Sequence, residues 1–178
     1  GLGTATAALR VGSLSTGGSD ETTTEKWDGS SWSNDDALTT ANIQAMSTGT
    51  TTAGLCAGGQ TSTATCEEYN GTAWSNGGNL GTARKQLISH GGIQTDAIIC
   101  GGKDSSNNQL STTELYNGTA WSETNDLPAA RYGPAGFGTT TAGVNCGGRT
   151  ADNALQNHHN RIPASWNRQC LLTIRLHG

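Results

Sequence analysis

At 178 residues the chain is long enough for one domain with a real core and too short to expect two. A formal charge of −4 excludes the basic footprint that nucleic-acid binding needs, and no apolar run approaches the roughly 18 residues of a membrane span. Its 26 glycines, five spaced tryptophans and many threonines, whose branched β-carbon suits a pleated surface, argue against disorder and for an all-β chain with a small-residue core.

The chain repeats itself in the low-to-mid forties of residues. A first unit, about 2–37, opens on a short segment from Leu2 to Gly17 and continues through Glu25 and Trp27 to the turn Asp28-Gly29 and then Trp32. A second, 38–79, carries GTTTAG at 49–54, the double glycine Gly58-Gly59, Glu67, Tyr69, the turn Asn70-Gly71 and Trp74. The third, 80–126, has Gly101-Gly102, Glu114, Tyr116, Asn117-Gly118 and Trp121. The fourth, 127–170, repeats GTTTAG at 138–143 and has Gly147-Gly148. The tryptophans are 42 and 47 residues apart, and the glycine pairs, counting Gly17-Gly18 as the first, 41, 43 and 46.

Each unit reads as four short antiparallel strands. In the fourth, 132–138 is a glycine-rich inner strand and 141–148 the second; in the third, 111–117 and 119–123 are the third and fourth strands. Asn-Gly between those last two predicts a two-residue type I′ hairpin, with positive φ at both central positions. The aromatic before each turn stands five residues ahead of the tryptophan after it, so each hairpin carries two large apolar anchors.

A period near 45 without a helical apolar pattern fits propeller blades. The double glycine, the acidic residue before an aromatic, the spaced tryptophan and the arginine ten residues later (Arg84, Arg131) together resemble the kelch repeat over residues 2 to 150. That resemblance implies a β-propeller of about four blades, each a four-stranded sheet, in one repeat domain, 1–178. The YNGTAW and GTTTAG variants look like kelch-like arrays of marine phage and environmental bacteria, which implies a virion or extracellular setting. Thr6 and Asn42 stand where the arginines would be, and 157–178 loses the turn and the acidic-aromatic pair. That divergent tail is either a degenerate end to the fourth blade, with Trp166 still 45 residues after Trp121, or unrelated sequence. Kelch propellers usually carry about five to seven blades. Four blades therefore imply a compact ring, a homo-oligomer that completes a larger ring, or a piece of a longer array.

Chemistry is sparse. Five cysteines without C-x-x-C read as small buried hydrophobes, with a Cys56–Cys66 pairing as the one disulfide geometry left open. His158 and His159 would face opposite sides of a strand, and no zinc-ligand spacing exists, so neither metal nor cofactor is expected. The sialidase aspartate box is absent, and the copper ligands of galactose oxidase-like kelch enzymes are not assembled. Arg84, Arg131 and Tyr132 in repeat register read as structural. The expectation is a non-catalytic recognition module for a glycan or a protein, the alternatives being a propeller enzyme with an axial site and a fragment without activity of its own. The loops after the double glycines vary most and are rich in amides. They nominate Lys103, Asp104, Asn107, Asn108, Gln109, Arg149, Asp152 and Asn153 as ligand-binding residues. Trp27, Trp32, Tyr69, Trp74, Tyr116, Trp121 and the pairs Gly58-Gly59, Gly101-Gly102 and Gly147-Gly148 are assigned to the structural repeat.

Overall fold

The computed structural model describes residues 1–150 apart from Thr61, Ser62 and Pro134, with backbone alone for 20, 88–92 and 144–146. Among these residues the chain is all-β, without a helix. The first sheet holds β1 (Leu2–Gly3), β2 (Ala8–Leu14), β3 (Asp20–Trp27) and β4 (Trp32–Asp35). The second holds β5 (Met46–Thr50), β6 (Ala53–Ala57), β7 (Cys66–Tyr69) and β8 (Trp74–Asn76). In the third are β9 (Ile88–Ile93), β10 (Asp96–Cys100), β11 (Thr113–Tyr116) and β12 (Trp121–Thr124), and β13 (Ala135–Gly138) pairs with β14 (Gly143–Cys146) in a fourth. Every sheet is an antiparallel meander in chain order. First strands are neighbours in succession: β1 packs beside β5, β5 beside β9 and β9 beside β13.

The GTTTAG repeat is the opening hairpin. Gly49 and Gly138 have φ of 105° and 113°, and a Cβ at either would lie 2.2 Å from a carbonyl oxygen, of Ala53 or Ala142. The next threonine holds the turn: Thr50 Oγ1 and Thr139 Oγ1 each accept from an alanine N–H three residues on, both at 3.1 Å. Residues 3–8, GTATAA, repeat the device, with Gly3 at φ 106° and Ala7 N–H donating to Thr4 Oγ1.

The closing hairpins differ from the sequence expectation. Tyr69 stands directly opposite Trp74, so four residues form the loop rather than two. Only the glycine has positive φ, 97° at Gly71; no positive φ occurs at Asp28, Asn70 or Asn117. Asn70 Oδ1 instead accepts the N–H groups of Thr72 and Ala73, both at 2.9 Å, while its own N–H reaches Ala73 O. Asn117 repeats this with Thr119 and Ala120, and Asp28 with Ser30 and Ser31. Asn-Gly was chosen for side-chain acceptance followed by one left-handed residue, a combination that serves a longer loop as well as a type I′ turn. The register still sets the aromatics opposite each other as tilted pairs, with ring centroids 5.5, 5.1 and 4.9 Å apart in the three sheets.

A second correction concerns the first sheet. Val11 pairs with Thr24 as Ala57 pairs with Cys66 and Cys100 with Thr113. The counterpart of Gly58 and Gly101 is therefore Gly12, whose φ of 64° matches their 66° and 62°. Gly17-Gly18 belongs to the tip turn of a hairpin that continues past a bulge to Leu14 and Asp20. Leu2 therefore stands as far before Gly12 as Thr48 does before Gly58, while β1 and β2 pair at two positions where β5 and β6 pair at five.

Neighbouring sheets are joined by the same side chains at each step. Leu38, Leu80 and Leu127, six residues past each tryptophan, are buried, and their N–H groups bond to Thr22 O within the third strand of the first sheet and to Ala64 O and Ser111 O just before the third strands of the next two. Glu67 accepts the N–H groups of Thr39 and Thr40 at 2.7 and 2.9 Å, and Glu114 those of Gly81 and Thr82 at 2.7 and 3.2 Å. Trp74 is buried and its indole N–H reaches Thr24 Oγ1 of the first sheet at 3.1 Å. Tyr69 OH reaches back to Asp35, and Tyr116 OH to Glu68. Burial and these carboxylates push both phenol pKa values up. Trp32 occupies the equivalent place in the first sheet but is 52% exposed, because no described sheet precedes it.

Cys56 lies opposite Glu67 while Cys66 lies opposite Ala57, so adjacent registers send the two thiols to different core clusters. Cys56 and Cys66 are buried and not bonded to each other, which removes the disulfide left open from sequence. Burial pushes the Cys56 thiol up to about 12 and the Cys66 thiol to about 11, so both are inert. Residues 151–178, including the divergent tail, lie outside the described residues.

Candidate functional site

The sheets are stitched together at one end by main-chain bonds. Gln60 N–H donates to Ile43 O, Gly59 N–H to Arg84 O, Lys85 and Lys103 exchange both bonds, Gly102 N–H donates to Arg131 O, and Tyr132 and Arg149 exchange both. Gly58-Gly59 and Gly101-Gly102 thus each link the lead-in of their own sheet to the lead-in of the next. Left-handed φ at both glycines turns the chain to reach both, 62° and 99° at Gly101 and Gly102. A Cβ on Gly102 would also lie 2.8 Å from Lys85 O.

The arginines hold this belt from beneath. Fully buried Arg84 donates from Nη1 to Gly101 O at 3.1 Å and to Thr112 O at 2.8 Å, and from Nη2 to Glu114. Burial lowers its pKa while Glu114 opposes the shift. Arg131 Nη1 reaches Gly147 O, and Asn42 Nδ2 performs the same task at Gly58 O with a shorter arm. Arg84 is therefore structural, as expected.

The belt residues are Ile43 and Gln60, joined by one main-chain bond, and the bridged pairs Lys85–Lys103 and Tyr132–Arg149, all half-buried or exposed. Around the middle bridge lies a polar cleft of about 300 Å³ lined by Gln44, Gln60, Lys85, Gln86, Lys103 and Asn107. Gln44, Gln86 and Asn107, with φ of 55°, 51° and 66°, are the three non-glycine residues of positive φ among those described, and all three line it. The fourth sheet has Gly133, φ 63°, at the place of Gln44 and Gln86. A non-glycine residue there costs about 1–2 kcal/mol, so the backbone is asked to tolerate an amide side chain. Lys103 Nζ sits 3.7 Å from the centroid of the Tyr132 ring. Hydrogen bonding to Arg149, with the charge of Lys103 beside it, lowers the Tyr132 pKa.

Of the residues nominated from sequence, the structure brings Lys103 and Asn107 into the cleft. Asp104 and Asn108 turn to each other instead: Asp104 Oδ1 accepts Asn108 N–H and Oδ2 accepts Asn108 Nδ2, both at 2.8 Å. That bonding holds the Asp104 carboxyl below its ordinary pKa. Gln109 bridges back to Lys103 in the backbone, and its buried Oε1 has no hydrogen-bond partner. Arg149 stands one bridge further on, beside Tyr132. Asp152 and Asn153 lie outside the described residues. Gln44, Gln60, Lys85 and Gln86 were missed. Their signal was available in the repeat register, since Lys85 and Gln86 follow Arg84 as Tyr132 and Gly133 follow Arg131.

Among the described residues no group of three or more His, Cys, Asp or Glu side chains is placed to hold a metal ion. No protein-family model matches the chain, and no curated protein matches it.

Proposed function

We propose that this chain is a non-catalytic recognition module built as a kelch-like propeller, and that it binds its ligand at the belt end, with a glycan as the leading ligand. One observation carries this reading: the repeats agree in the side chains that join sheets and differ in those that project from the belt. Tryptophan, leucine and glutamate recur at the joints. The belt positions run Ile43, Gln60, Lys85, Lys103, Tyr132, Arg149. A surface whose side chains vary over an unchanging main chain is what a recognition face requires. The neighbouring first strands and sequential four-stranded sheets support the propeller, and amides around a polar cleft suit sugar hydroxyls. A virion or cell-exterior setting is what the kelch-like resemblance supports.

A glycan array and a host-surface pull-down test the reading, comparing the chain with a variant in which the 103–111 and 149–157 loops are shortened. Binding that is lost in the variant supports it. Undiminished binding overturns it, and capture of a protein that survives glycan removal would make the ligand a protein.

A further inference from the structure

Lys85 and Lys103 stand directly opposite each other across a closely hydrogen-bonded antiparallel bridge, their N–H groups donating to each other's carbonyls at 2.9 and 2.8 Å. Residues so placed project to the same side with Cα atoms roughly 5.5 Å apart, and like charges there repel. Neither lysine forms a contact ion pair, those among the described residues being Arg10–Glu25, Lys26–Asp35 and Arg84–Glu114. Asp104 attracts Lys85 through space, but both its oxygens are turned to Asn108, and one carboxylate leaves the two ammonium groups with net positive charge. The Lys103 ammonium is also anchored on the Tyr132 ring, which limits its retreat from Lys85.

Two unfavourable features therefore meet in one cleft, paired ammonium groups and glutamines on left-handed backbone at Gln44 and Gln86. One kind of occupant would neutralise the first and offset the second through contacts with the amides. We propose that the cleft takes the anionic group of an acidic saccharide, a carboxylate or a sulfate ester, between Lys85 and Lys103, with the surrounding carboxamides on adjacent hydroxyls. This assignment rests on the recognition reading above and narrows its ligand. An anion bridging two ammonium groups gains charge-assisted hydrogen bonds, and the amides both donate and accept, as a hydroxyl does.

The test uses the full chain with a galacturonate trisaccharide, its methyl ester and a singly sulfated neutral trisaccharide, measured by calorimetry. The acid or the sulfate should bind at least ~10-fold more tightly than the ester, and Lys85→Gln or Lys103→Gln should each remove about that factor. Lys85→Gln should leave the melting temperature unchanged or higher, because it deletes a repulsion, so lost binding is not mistaken for lost folding. Sodium sulfate should raise the melting temperature more in the parent than in Lys85→Gln at matched ionic strength. Equal binding of acid, sulfate and ester overturns the assignment while leaving the recognition reading intact. A sulfate shift confined to the parent, with no saccharide bound, keeps the anion site but removes the glycan. A sulfate shift equal in parent and variant removes the site, and an aspartate-rich peptide binding as tightly as the acid moves the ligand to the protein class.

Discussion

At the residue scale, Asp28 offers a clean measurement. It fills the loop position that Asn70 and Asn117 fill in the next sheets, and the N–H groups of Ser31 and Ser30 with the Ser30 hydroxyl hold its pKa at about 2. A depressed carboxylate stabilises the fold above its unfolded value and loses that contribution as pH falls through the folded value. The first hairpin should therefore lose stability between about pH 4 and pH 2. Asp28→Asn should abolish that acid dependence at little cost near neutrality, as acid melting curves of the two proteins would show. A second residue is defective where its counterpart is not. Thr24 accepts the Trp74 N–H, whereas the buried Trp121 Nε1 has beside it only the Cys66 thiol, a weak acceptor that does not bring it to full hydrogen-bond geometry. Cys66→Thr should stabilise the chain by about 1 kcal/mol in urea unfolding, the net value of one hydrogen bond.

The element scale separates three indoles that look alike in sequence. Trp74 is 5% exposed between two sheets, whereas Trp32 has an aromatic partner on its own hairpin and solvent beyond. Trp74→Ala should cost about 3–5 kcal/mol, and Trp32→Ala less than about 1 kcal/mol, by the same unfolding measurement. The four-strand units were legible because the bulky residues that join sheets recur at fixed spacing, and spacing survives in a sequence. Loop geometry was not. Asn-Gly specifies an acceptor followed by a left-handed residue, and only the register of Tyr69 on Trp74 reveals that four residues close the hairpin. Gly17-Gly18 misled for a related reason, since two glycines in a hairpin tip read the same as two glycines that stitch sheets, while the true counterpart is the single Gly12. Four of the six cleft residues escaped notice, Lys85 and Gln86 because they adjoin a structural arginine in a short segment, which attention to long variable loops passes over.

For the whole molecule, the leading face of the first sheet decides the assembly. Glu67 and Glu114 grip the segment arriving from the sheet before them, whereas Glu25 pairs with Arg10 at the surface and Trp32 borders an apolar hollow of about 340 Å³ with Leu2 and Leu9. Stacked sheets need a neighbour on each side. Light scattering should therefore show a mass that rises above that of one chain with concentration, and Trp32→Asp should return it to the monomer. A monomer at all concentrations would indicate that the chain covers this face itself. The belt at the other end has a practical corollary. Because its sheet-to-sheet bonds join peptide groups, and the side chains that brace them, Asn42, Arg84 and Arg131, are not among the variable ones, a library randomised at 43, 60, 85, 103, 132 and 149 should yield folded proteins with new specificities.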